Sequence, residues 1–136
     1  LFSLGVGGAP NRYLLDGRAA KALELYKKAL DDNPADSELQ CRFILAHLEL
    51  DRVDEVAGFI EKMLDENGIE ALEKLNQGCE GYVPTDGPSQ HEVVTGLRAL
   101  IAGDRERATE QLRLVDADQF PAVARLANRV ENLNAH

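Results

Sequence analysis

Tryptophan is absent from this chain, methionine occurs once, and aromatic residues make up only 5% of it. Packing must therefore rest on leucine, alanine and the β-branched aliphatics rather than on large rings. Cysteine occurs only at positions 41 and 79, which forms neither a zinc framework nor a recognisable disulfide scaffold. That usage favours a reducing, cytoplasmic setting. Cys41, in a helical run, is expected as a small buried hydrophobe, and Cys79, in a Gly-rich stretch, as an exposed one. No apolar run reaches the 18 or so residues that a membrane-spanning helix needs. Bases are outnumbered by acids, 15 to 24, for a net charge of −9. Phosphate backbones and anionic lipid surfaces demand clustered Lys and Arg, so neither nucleic acid nor a membrane is expected as a partner. The chain opens LFSLGVGGAP without an initiator methionine, as a processed protein or a piece of a longer one would. That opening has no basic start and is too short for a signal peptide.

What is present is mostly helical pattern. In Gly17–Pro34, GRAAKALELYKKALDDNP, residues Ala19, Ala22, Leu23, Tyr26, Ala29 and Leu30 recur at three- and four-residue steps and make one apolar stripe. Asn33-Pro34 stops the helix, because proline holds its predecessor extended and cannot continue the ladder. Asp36 or Ser37 caps the next helix. That helix carries apolar residues on more than one face, including Phe43, Ile44, Ala46, Leu48 and Leu50. After a turn at Asp51-Arg52, Val53, Val56, Ala57, Ile60, Met63 and Leu64 form another stripe, ended by Asn67-Gly68. Helices are thus expected near 18–32, 36–50 and 52–66. Ile69 to Asn76 gives a short helix with one apolar edge. Residues 77–88, QGCEGYVPTDGP, hold three glycines and two prolines and read as a long loop. Helices resume with Val93, Val94, Leu97, Leu100 and Ile101, turn at Gly103-Asp104, and continue through Ala108, Leu112 and Val115. Asp118 is the expected cap of a last helix. Its inner side is Phe120, Val123, Ala127, Val130 and Leu133, and its polar outer face Arg125, Arg129 and Asn132.

The charge is uneven. Residues 1–48 are neutral, residues 49–80 carry ten acids and three bases, and residues 81–136 carry eight and six. The middle is an acidic surface, either solvated or turned toward a basic partner.

The stretch from Gly17 recurs more loosely 34 residues on, at Asp51, and the spacing of Gly17, Ala22, Tyr26, Ala29 and Pro34 resembles the tetratricopeptide repeat, a helical hairpin of that length. In the second copy Asp51, Val56, Ile60 and Gly68 stand for Gly, Ala, the aromatic and Pro. A third copy, with Gly96, Gly103, Ala108, Leu112 and Pro121, follows an 18-residue insertion. The resemblance implies an all-α fold: antiparallel hairpins stacked as a short right-handed solenoid with a C-terminal capping helix. Residues 1–9 would be an irregular segment and 10–136 the repeat domain. It also implies recognition of a protein or peptide partner in a concave groove. Carried over residue by residue, that groove would be lined by Asn11 and Leu14, then by Glu38, Cys41, Arg42, Leu45 and Glu49, and then by Gln90, Val93, Leu97 and Ile101. Arg42 would meet a carboxylate there and Leu45 an apolar group.

Catalysis needs a nucleophile or metal with convergent partners. Of the three histidines, His47 stands where the resemblance puts a packing aromatic, His91 brackets the long loop opposite Cys79, and His136 is terminal. No enzyme activity, cofactor or metal is expected. Two alternatives to the partner-binding scaffold are a self-assembly module that forms homo-oligomers and an enzyme or metal site at 77–91.

Overall fold

The structure is a computed structural model and describes residues 19–82 and 92–134. Seven helices account for nearly all of them: α1 (Ala19–Asp32), α2 (Ser37–Glu49), α3 (Val53–Asn67), α4 (Ile69–Gly78), α5 (Glu92–Ile101), α6 (Arg105–Leu112) and α7 (Pro121–Asn134). There is no strand among the described residues. The fold is all-α, and α1, α2 and α3 follow one another with short turns, as the repeat spacing requires.

Each boundary has a local cause. α1 ends where Asn33 N–H still reaches the Ala29 carbonyl at 3.0 Å before Pro34 diverts the chain. Asp36, not Ser37, caps α2: its Oδ1 accepts from the amides of Glu38 and Leu39 at 3.1 and 3.2 Å. The turn into α3 needs a left-handed residue, and Asp51 supplies it with φ 59°, standing where the repeat pattern has glycine. Gly68 (φ 68°) ends α3 and is the one residue before α4.

α1 packs on α2 through a small cluster of Ala22, Leu23, Tyr26 and Ala46, flanked by Leu39, Phe43 and Leu50. The larger core joins α2 through α7, and all six expected α3 residues, Val53, Val56, Ala57, Ile60, Met63 and Leu64, are buried in it. The insertion after α3 is not a plain loop. It holds α4, which buries Ala71, Leu72 and Leu75 against α2 and α3. The helix continues through Gln77 and Gly78, so the expected loop starts later than its glycines suggest.

α7 stands beside α3 and runs parallel to it. Asp54 meets Ala122 and Val123, Glu61 meets Arg125, and Asp65 meets Arg129, with both sequences ascending together. Arg125 and Asn132 are exposed, as a polar outer face requires, and Arg129 is half-buried; the two arginines also reach across to carboxylates of α3. Leu126, fully buried, belongs to the inner side as well. Asp118 does not cap this helix. The cap comes from Asp54, whose Oδ1 accepts from Ala122 N–H at 2.9 Å and Val123 N–H at 3.1 Å.

Candidate partner-binding surface

The groove expected from the repeat pattern centres on α2. The structure divides its residues among three fates. Glu38 and Glu49 are exposed at the two ends of the helix. Leu45 is half-buried against the large core. Cys41 and Arg42 are buried.

Arg42 is held from two sides. Its Nη2 donates to Glu38 Oε1 at 3.2 Å, and its guanidinium interacts with the Tyr26 hydroxyl of α1. Burial pulls its pKa down to about 10, with Glu38 and Tyr26 opposing, so it stays charged at neutral pH. The same burial raises the Tyr26 phenol, which Arg42 partly offsets. Arg42 thus ties α1 to α2 instead of waiting for a partner's carboxylate. What α2 offers to water is Glu38 and Glu49, two acids.

Cys41 cannot line an open groove, because it is bonded to Cys79, with Cα atoms 5.5 Å apart. Both cysteines lie in the large core. The expectation of an exposed Cys79 is corrected: α4 runs two residues further than its glycines suggested and carries Cys79 inward at its cap. The bond also removes Cys79 as a free partner for His91, which lies outside the described residues along with Asn11, Leu14 and Gln90. Val93, Leu97 and Ile101 are core residues, 4%, 0% and 0% exposed, because α5 packs against α2, α3, α4 and α6. A partner would not touch them in this conformation.

The acidic middle is partly spent inside the molecule. Asp54, Glu61 and Asp65 hold α7 through its amides and through Arg125 and Arg129, at 2.8–3.2 Å. Glu49, Glu66, Glu70, Glu73 and Glu80 stay exposed. Sequence reasoning missed the α3–α7 contacts because they join residues 64 to 69 apart. Their trace in the sequence is a match of spacing: Glu61 and Asp65 are one turn apart, as are Arg125 and Arg129.

His47 sits edge-on to Phe43, with ring centroids 4.5 Å apart, and Phe43 in turn meets Phe59 at 5.2 Å. Its Nδ1 lies 3.8 Å from the Glu55 carboxylate, yet its side chain is only 12% exposed. Burial lowers its pKa below 6.5, outweighing the opposing pull of Glu55. The unfolded chain takes up this proton near 6.5 and the folded chain only at lower pH. Stability from His47 is therefore full above that value. It declines as pH falls toward the folded pKa and levels off below it. Urea midpoints measured between about pH 7.5 and pH 5 should fall on acidification, and His47→Phe should flatten the slope attributable to this site.

Residues 13–68 match the tetratricopeptide repeat. The match covers the first two copies of the pattern and takes in α1, α2 and α3. The chain is a TPR-like repeat protein over that span, and its remaining helices are built onto it. The tetratricopeptide repeat is generally a protein–protein interaction module and typically non-catalytic. No match was found among curated proteins or solved structures. No helix among the described residues is long and apolar enough to cross a membrane.

Proposed function

We propose that this chain is a protein-binding scaffold whose contact surface is the acidic, water-facing side of α2. The observation that carries this reading is the match of residues 13–68 to the tetratricopeptide repeat, with Glu38 and Glu49 left at the exposed ends of α2. An acidic strip selects a basic partner segment, and the half-buried Leu45 between its ends supplies apolar contact. The residues expected to bind from α5 are withdrawn into the core, so the surface is smaller than the repeat pattern implied. The cytoplasmic setting expected from the cysteines loses its footing. It rested on the absence of a disulfide framework, and bonded cysteines persist where thiols are oxidised.

A photo-crosslinking residue placed at Glu49, with a control at exposed Asp118, tests the surface. Partners from a source lysate should crosslink at 49 and not at 118. Capture at 49 should weaken as salt rises from roughly 0.05 to 0.5 M, since screening shortens the reach of exposed charges. Equal labelling at both positions rejects the surface. Crosslinks to a second copy of the chain only would make it a self-assembly module instead.

A further inference from the structure

α4 is a short helix of the large core. A single residue, Gly68, joins it to α3, and its buried edge is Ala71, Leu72 and Leu75. Glu70, Glu73, Lys74 and Gln77 face water. At its far end it is pressed onto α2. A Cβ on Gly78 would run into the backbone of Ser37, and the next residue, Cys79, is bonded to Cys41. We propose that the Cys41–Cys79 bond is a redox latch: a dithiol reductant opens it, and the C-terminal half of α4 then parts from the start of α2.

The two sulfurs are unequally protected. Both residues are buried, at 4% and 3% exposure. Cys41, however, lies inside α2, whereas Cys79 is the cap of α4, followed by a turn that includes exposed Glu80 and Gly81. That turn is closed by Glu80 N–H to the Gln77 carbonyl at 3.1 Å and Tyr82 N–H to the Cys79 carbonyl at 2.9 Å. Opening this terminal turn breaks those two hydrogen bonds and shifts Tyr82, whose side chain packs on the large core, and it uncovers Cys79 Sγ first.

The reductant's thiolate attacks Cys79 Sγ. A mixed disulfide forms as the bond to Cys41 breaks, and Cys41 leaves as a thiolate that takes up the proton the first thiol gave up. The reductant's second thiolate then attacks its own sulfur in the mixed disulfide. This closes the reductant's disulfide and releases Cys79, which takes the second proton. Two electrons pass from the dithiol to the protein. With the covalent tie gone, the contact between Gly78 and Ser37 is no longer enforced, and the α2 surface around Ser37 and Cys41 becomes reachable. That last consequence for binding rests on the protein-binding reading; the release of α4 does not.

Amide NMR spectra of the full chain, oxidised and after dithiothreitol without denaturant, test this, with thiols counted in parallel. The expected result is two new thiols and lowered order parameters confined to residues 70–82 and the first turns of α2. Amides of α3 and α7 should keep their positions, and re-oxidation should restore the first spectrum. A Cys41→Ser, Cys79→Ser variant should match the reduced spectrum outside the substituted sites. Three results overturn the latch: a bond that resists dithiothreitol in the folded protein, a reduced spectrum with α4 unchanged, and collapse of the whole spectrum. Release of α4 without any gain in crosslinking from position 38, beside Ser37, would count against the consequence for binding and leave the latch standing.

Discussion

Reducing the Cys41–Cys79 bond should lower the free energy of unfolding by about 4 kcal/mol at 25 °C. The bond spans 38 residues of sequence, and the loop-closure entropy it removes from the unfolded chain has that size. The measurement is urea denaturation of oxidised and reduced protein. A domain of this length holds roughly 5–15 kcal/mol, so the reduced chain still folds. Cys41→Ala and Cys79→Ala should each cost a similar amount, and the double variant barely more than either, because one substitution already abolishes the tie. A difference under about 1 kcal/mol would mean that the unfolded chain is already compact between these positions.

Asp54→Ala should cost about 2–3 kcal/mol. One carboxylate oxygen accepts from two amides at the start of α7, and both bonds are partly buried. Hydrogen bonds to a charged group are worth roughly 1.5–3 kcal/mol each, but the two share one acceptor, so their sum is not reached. The negative charge also sits at the positive end of the α7 dipole. Asp54→Asn keeps an acceptor and loses the charge, so it should recover about half of the deficit. If Asp54→Ala matched the wild-type midpoint, water would be replacing the carboxylate, and the α3–α7 contact would be incidental to stability.

Asp54 and Cys79 mark the line between what the sequence discloses and what it withholds. The stripe from Val53 to Leu64 was legible because helical periodicity is a local property, and every member is buried. The stop at Asn33-Pro34, a cap at Asp36 or Ser37 and the turn at Asp51-Arg52 were legible for the same reason: each follows from the stereochemistry of a few consecutive residues. The choice of Asp36 and the left-handed Asp51 came from the structure. Asp54 reads as an acid in the first turn of its own helix, where it would be favourable anyway, and nothing nearby hints that it serves a second helix 68 residues on. Arg42 reads as an interface anchor until Tyr26 and Glu38 are seen around it. Cys79 reads as a loop residue because two glycines lie beside it. One of them, Gly78, is in fact helical and is required by the close approach to Ser37. The groove failed most at Val93, Leu97 and Ile101. Their apolar spacing fits a binding face and a core face equally, and only packing decides between them.

The parallel pairing of α7 with α3 gives the stack a direction. In an array of helical hairpins, each added unit lays its second helix alongside that of the unit before. Here that flank of α3 is taken by the chain's own α7, locked in register by Asp54, Glu61 and Asp65. The α3 residues that face water most fully include Glu55, Lys62 and Glu66, all charged. Another hairpin arriving on the α7 side would find no seat on α3, whether it came from a neighbouring molecule or from more of the same polypeptide. End-to-end stacking through that flank of α3 is thereby closed.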